Sequence, residues 1–431
     1  MASMVDIARA VLMALYYASL VGLLALGASY AVLVLQYFRL RRRGLARERA
    51  LLAGRLPPDR ELPSVLIQIP VLNEAAVIDR LLKAVGALDW PPARLVVQVI
   101  DQSDDETPKI AARGLARLRR RGIDARLVHK PDRVGFKAGA LAYGLKRGEG
   151  EFIAVFDADY VPPPATLRQC MSVLLGEQSL AFVQARVDYL NAGQSLLTRG
   201  QAAVLDAHAS VEQAAQSWSG WPFIFNGTCG VWRRRALEAA GGWQADTIVE
   251  DVDLSLRAYL EGWSGMFLTT VPVPGELPTS LGAWRGQQLR WAAGFAQVGR
   301  KHLWRILRSS LPWPRKIAAS VQACRWSLFP LTALAILSAG AWVALEGTML
   351  LVPTLCGLAV VAIGIGAYVA SLWIGHRALR RTGPGRFVAA TILVVVLYFV
   401  VIPLTVGWST LLAALGARPA FVRTPKAGGG T

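Results

Sequence analysis

Apolar positions along the chain follow two regimes. Residues 10–38, AVLMALYYASLVGLLALGASYAVLVLQYF, carry no charged side chain, and roughly 20 apolar residues suffice to cross a bilayer core. A cleaved leader would be shorter and end at small residues, whereas this run meets Arg39, Arg41, Arg42 and Arg43; it predicts a retained anchor with its basic flank in the cytoplasm. Three more apolar runs, 326–345, 349–374 and 387–415, follow near the C-terminus. Between the first two only Glu346 is charged, while His376, Arg377, Arg380, Arg381 and Arg386 crowd the next connection, which puts the first loop outside and the second inside. The last run contains Pro403 and allows either one kinked span or a span followed by an interfacial helix.

From Pro57 to about residue 275 the period changes. VLIQIP (65–70), LVVQVID (95–101), ARLVHK (125–130) and FIAVF (152–156) are short apolar segments, each separated from the next by a helical pattern such as AAVIDRLLKAVGAL or GFKAGALAYGLKRG. That alternation predicts β-α-β units and a mostly parallel sheet. The chain therefore divides into an anchor with basic linker (1–56), an α/β domain (57–275), interfacial helices (276–322), membrane helices (323–416) and a C-terminal segment (417–431). Only the tail KAGGGT is of low complexity.

Composition sharpens this picture. Of the 431 residues, 54% are hydrophobic, and a mean hydropathy of +0.38 is high for a protein without membrane segments. A net charge of +18 and the run RLRRRG raise nucleic acid as a partner, but no recognition-helix or zinc pattern accompanies them. Cytoplasmic loops, acidic lipids and a nucleotide substrate account for the arginines, so no nucleic acid is expected. The four cysteines and four histidines are scattered, which excludes a disulfide framework and a histidine-based metal centre. Any metal must be held by oxygen.

In parallel sheets of this kind, ligands bind where strands end, and acidic residues fall there. Asp101 closes LVVQVID; the following Asp104, Asp105 and Thr107 serve equally well as a turn and helix cap. FIAVF runs straight into Asp157 and Asp159, which in an extended segment would project from one face. Two such carboxylates suit Mg²⁺ or Mn²⁺, which take oxygen ligands and bridge one or two carboxylates to a diphosphate. Glu250 and Asp251 stand at a helix start, where negative charge is stabilised; Asp251 is placed to accept a proton from a hydroxyl. Asp253 and Glu261 read as caps or solvated positions of the same helix. In QQLRW, Arg290 suits a diphosphate and Trp291 a pyranose ring, although each is also a common interfacial residue. Trp304 and Trp313 are read as interfacial only.

These pieces, in the order D, D-x-D, E-D, Q-x-x-R-W and then membrane spans, resemble the processive inverting glycosyltransferases of the cellulose synthase superfamily, glycosyltransferase family 2. The likeness is greatest to the mannan and glucomannan synthase branch and its bacterial relatives. It rests on IPVLNE, VIDQSDDET, GFKAGAL, FDADY, FVQARVDYLN, FNGTCGVWRRRALEAAGGW, VEDVDLSLRAYLEGW, ELPTSLGAWRGQQLRWAAG and FVRTPK. It implies a GT-A fold joined to a membrane channel. Asp101 and Asp157 would contact the nucleotide, Asp159 with Asp157 the cation, and Lys137 and Arg290 the donor phosphates. Asp251, beside Glu250, would be the base. Asn226, Gly227, Thr228, Gln287 and Trp291 would hold the acceptor, and Phe421, Val422, Arg423, Thr424 and Lys426 would form a loop closing over the donor. Gln102 replaces a second aspartate of the family pattern and Val249 a threonine.

The resemblance implies transfer of a hexose from a UDP-glucose or GDP-mannose type donor to a growing β-linked polysaccharide at a lipid bilayer, coupled to its translocation. A single N-terminal span, no appended cyclic-dinucleotide sensor and a bacterial inner membrane complete the expectation. Two other readings stay open: a transferase acting on a lipid (ceramide, diacylglycerol or a polyprenyl phosphate), and a non-enzymatic channel or scaffold.

Overall fold

The computed structural model describes residues 4–379 and 383–415; the loop expected to close over the donor, Phe421 to Lys426, lies outside them. Seven strands form one sheet: β1 (Val65–Val71), β2 (Leu95–Asp101), β3 (Asp124–His129), β4 (Phe152–Val155), β5 (Leu180–Tyr189), β6 (Gly230–Arg233) and β7 (Ser264–Gly275), ordered β3-β2-β1-β4-β6-β5-β7. The first four pair in parallel, as the β-α-β pattern predicts. β6 runs antiparallel to both β4 and β5, while β5 and β7 are parallel. The sheet is thus mixed but mostly parallel.

Central strands are apolar on both faces because both faces are covered. Successive residues alternate between the two layers: Ile67 and Ala154 pack with Val97, Leu115 and Met171 on one side, whereas Leu66 and Ile153 pack with Phe182, Trp232 and Phe267 on the other. β3 lies at the edge, which explains its more exposed and polar sequence. Pairing of Val71 with Asp101, and of Asp101 with His129, aligns the ends of the three outer strands.

Four helical stretches among the described residues are long and apolar enough to cross a membrane: Met4–Leu52, Trp313–Glu346, Leu351–Leu379 and Gly385–Gly407. The first has 49 residues, a length of about 74 Å at 1.5 Å per residue. Its far end therefore reaches the α/β domain, where buried Glu48 accepts hydrogen bonds from Thr269 Oγ1 (2.7 Å), Thr270 N (2.8 Å) and Thr270 Oγ1 (2.6 Å) on β7. The final apolar run is one continuous helical path, with a π turn (Leu397–Val401) immediately before Pro403. That turn accommodates the missing proline N–H.

Candidate active site

A cavity of about 1760 Å³ opens at the strand ends and continues between the membrane helices. Its wall contains Asp157, Asp159, Lys137, Asn226, Thr228, Glu250, Asp251, Gln287, Arg290 and Trp291. Residues separated by more than 150 positions in sequence thus face one space. Gly227 is at the same place, because a Cβ built on it would lie 2.8 Å from Asp251 Oδ2 and 3.2 Å from Lys137 Nζ. Its φ of +75° also demands glycine.

Lys137 is the electrostatic centre of the group. It stands one residue into the helix Phe136–Leu145, and its Nζ is 2.7 Å from Asp157 Oδ1, 3.8 Å from Glu250 Oε1 and 2.9 Å from the Gly227 carbonyl. Burial alone would depress its pKa, but Asp157 and Glu250 outweigh that, so the ammonium is held firmly charged. Asp251 moves the other way. Burial first, and then the charge of Glu250, push its carboxyl up to about 7, against the pull of Lys137. The helix start of Glu250–Leu260 does not by itself keep Asp251 ionised, as the sequence had suggested. Burial likewise raises Glu250, opposed by Lys137. For Arg290 burial lowers the pKa, with Asp157 and Glu250 acting to raise it.

The Asp157–Asp159 segment differs from its expected geometry. β4 ends at Val155 and the chain turns, with Tyr160 N–H donating to the Asp157 carbonyl at 3.2 Å. Strand alternation is therefore not what brings the two carboxylates to the cavity. Their surroundings also differ: the Asp157 side chain is 34% exposed, whereas Asp159 is 3% exposed. The backbone of the turn is pinned by Thr228 Oγ1, which accepts from Asp157 N at 2.9 Å, and by Arg80, which donates to the Asp159 carbonyl and pairs with Glu276 at 2.7 Å.

Asp101 ends its strand as expected but is turned inward. Its Oδ1 accepts from Ser103 N (3.1 Å), its Oδ2 lies 3.4 Å from His129 Nδ1, and it is its neighbour Gln102 that lines the cavity. Asp253 is also not the solvated position it resembled. It is buried between Arg257 (2.9 Å), Lys301 (2.7 Å) and His302 (2.7 Å), and ties the helix bearing Asp251 to the helix Leu281–Arg308 bearing Arg290. Burial works to raise its pKa, but the His302 hydrogen bond and the charges of Arg257 and Lys301 hold it down to about 2. Other supporting residues escaped the sequence reading. Gln184 accepts from Asn226 N (2.8 Å), Gln213 bonds the Asn226 amide (2.6 and 3.2 Å), and Glu276 joins the cavity wall. Gln184 and Glu276 lie within FVQARVDYLN and ELPTSLGAWRGQQLRWAAG, but nothing in those stretches alone gives either residue a part at the site. Trp291 packs edge-on to Trp326 at 6.2 Å, beside Phe295 and Phe329, and so forms an aromatic wall.

The donor set can be compared with a divalent cation. Among the described residues no cluster of three or more His, Cys, Asp or Glu side chains could cage a metal. Two carboxylates on a cavity wall nevertheless match Mg²⁺ or Mn²⁺, which complete their shell with water and substrate phosphate. Asp159 and Asp157 fit that role.

A mostly parallel sheet with acidic and basic side chains gathered at the strand ends is a GT-A type fold. A mannosyltransferase from Pyrobaculum calidifontis, solved in complex with GDP-Man and Mn²⁺, matches it with a TM-score of 0.52 and 22% identity, covering 86% of this chain and 99% of that one. Residues 63–294 match the family described as glycosyltransferase like family 2, and the chain belongs to that family. It is 45% identical over 251 residues to glucomannan 4-β-mannosyltransferase 1 of Oryza sativa subsp. japonica, covering 57% of this chain and 48% of the rice protein. It is 43% identical to glucomannan 4-β-mannosyltransferase 2 of Arabidopsis thaliana, covering 57% and 47%. The likeness to the mannan synthase branch read from the motifs therefore holds. The chain spans about half the length of the curated relatives it matches. Those relatives are plant proteins, which goes against the expected bacterial inner membrane; what stands is that four helices among the described residues are long and apolar enough to cross a bilayer.

Proposed function

We propose that the protein is a membrane-embedded inverting hexosyltransferase that extends a β-linked polysaccharide, with GDP-mannose as its first candidate donor and UDP-glucose as the second. The observation carrying this reading is the convergence of Asp157, Lys137, Asp251, Arg290 and Trp291 on one cavity. The names of the relatives favour mannose.

Lys137 and Arg290 bind and orient the donor diphosphate, and Asp157 and Gln102 face its nucleotide. Bound at Asp159 and Asp157, Mg²⁺ or Mn²⁺ supplies neutralisation of the diphosphate charge. Trp291 and Asn226 hold the acceptor sugar with one hydroxyl toward Asp251. The hydroxyl oxygen attacks the anomeric carbon, the bond to phosphate breaks with its electron pair leaving on the diphosphate, and the proton passes to an Asp251 carboxylate oxygen. Direct displacement inverts the anomeric centre. With a pKa near 7, Asp251 is close to the best strength for a base at neutral pH.

A second reading, single transfer to a lipid, is favoured by the aliphatic wall that the membrane helices give the cavity. Incubating membranes that contain the protein with a panel of labelled nucleotide sugars, followed by linkage analysis, tests both. An insoluble β-linked polymer supports the first reading, and label extracted into chloroform and methanol the second. No turnover with any donor refutes transfer itself.

A further inference from the structure

The helix Leu281–Arg308 meets the segment leading into Asp251 along a single stripe. Arg290, Gly294, Gln297 and Lys301 stand four, three and four residues apart, and at those intervals helical side chains share a face. Their partners run the opposite way along the chain. Lys301 Nζ lies 2.8 Å from Asp246 Oδ1 and 2.9 Å from Gln244 Oε1. Gln297 Oε1 accepts from Ile248 N at 2.9 Å. Gly294 packs against Val249 so closely that a Cβ built on it would lie 2.6 Å from Val249 Cγ1. Arg290 comes last and meets the field of Glu250: burial lowers its pKa, and the charges of Asp157 and Glu250 act against that.

Lys301 also reaches beyond Asp251, to Asp253 Oδ1 at 2.7 Å in the first turn of the next helix. The chain is thus held on both sides of Asp251 by the same stripe. Residues 244–249 form neither helix nor strand, so their course is set by what they lean on, yet Ala245, Asp246, Thr247, Ile248 and Val249 all line the cavity. Eleven residues of helix separate Arg290 from Lys301, about 16 Å at 1.5 Å per residue. A helix does not stretch. Whatever is pinned along it therefore stands at a fixed distance from Arg290.

We propose that Gly294, Gln297 and Lys301 are positioning residues for transfer, and that as one stripe they set the separation between Asp251, which takes the proton, and Arg290, which receives the diphosphate. They act through residues 246–253 and not on the sugar. This rests on the transferase reading and adds to it the residues that keep the two ends of the reaction in register. Base and leaving-group anchor come from different elements, and a shift of about 1 Å between such groups can cost about a hundredfold in rate. The stripe is the part of the fold that prevents that shift.

The test uses membranes containing the full-length protein, with Mn²⁺ and labelled GDP-mannose or UDP-glucose, and reads label moved to product alongside donor KM and GDP affinity. Gln297→Met and Lys301→Met should lower kcat by about tenfold to a hundredfold, with donor KM and GDP affinity within about twofold of the parent. Gln297→Glu, which keeps an acceptor oxygen for Ile248 N–H at the same reach, should recover most of kcat. Gly294→Ala should behave like Lys301→Met, and the Gln297 pair decides the matter where that variant does not fold. Trp304→Ala, exposed on the same helix, should leave kcat unchanged. In an Arg290→Lys background, Lys301→Met should cost no more than about threefold further, because the separation it guards has already lost one end. Retained kcat in Gln297→Met and Lys301→Met, no recovery in Gln297→Glu, or losses that multiply in full with Arg290→Lys would overturn the positioning role and leave the transferase reading intact. A parent protein that moves no label and releases no GDP or UDP overturns the transferase reading, and the positioning role with it.

Discussion

Lys137 Nζ lies 2.7 Å from Asp157 Oδ1, joining the first turn of one helix to the loop after the central strand β4. The same ammonium lowers the pKa of Asp251. Replacing Lys137 with Met should therefore act twice. Donor KM should rise about tenfold or more as a charge-assisted contact is lost, and the acid limb of the pH–rate profile should move to higher pH because Asp251 loses the positive charge that draws its pKa down. Steady-state kinetics across pH 5–9 would show both; an unshifted acid limb would disconnect Lys137 from Asp251.

In the parent protein the rate should climb through about pH 7, where Asp251 gives up its proton. Stability should run the opposite way. The folded pKa lies above the unfolded value of about 3.9, so the folded state binds more protons between these values and the contribution of Asp251 to stability falls as pH rises from about 4 to 7. Asp251→Asn should abolish transfer and keep donor binding, yet at pH 8 be more stable by on the order of 1–3 kcal/mol. Melting curves at pH 5 and pH 8 give the comparison.

At Gly227 a methyl group meets both a forbidding φ and the Asp251 carboxylate at 2.8 Å. Gly227→Ala should cost about 1–3 kcal/mol of stability and about a hundredfold in kcat, since a displaced base no longer reaches the hydroxyl. A fully active variant would place Gly227 away from the chemistry.

Arg290 and Trp291 should separate by readout. Arg290→Lys keeps the charge but loses the planar fork, and kcat should fall about a hundredfold. Trp291→Ala should raise acceptor KM while Trp291→Phe restores part of it, with uncoupled donor hydrolysis little changed in either.

Glu48→Ala removes the carboxylate that accepts from Thr270 N–H and from the Thr269 and Thr270 hydroxyls, and should cost about 1–3 kcal/mol through the groups left unmet. Glu48→Gln, which keeps one acceptor oxygen, should cost less. Limited proteolysis of the connection between Leu52 and Val65 would show whether the domain has come loose.

Much of this architecture was legible in the sequence, for reasons that also mark the limits. β1, β2 and β4 are continuous apolar runs because they are covered on both sides, and so they declare themselves. β6 gives no sign of its reversed direction, because direction depends on the partners it finds between β4 and β5. Asp101 was correctly placed at a strand end, but a strand position does not say which way a carboxylate rotates once Ser103 N–H and His129 are nearby. Asp253 looked like a surface cap because its partners, Lys301 and His302, lie almost 50 positions away. Gln184 and Glu276 were hidden for the same reason: only the folded sheet brings them to Asn226 and Arg80.

The helix Met4–Leu52 ends in a buried carboxylate seated on β7, and that seat fixes its height relative to the sheet. A span held at one end cannot slide to suit a thicker or thinner lipid layer; it can only tilt, and the sheet must tilt with it. Bilayer thickness thus becomes a lever on how far the reaction centre stands from the lipid headgroups, so lipids of different chain length should alter turnover even where none of them is consumed.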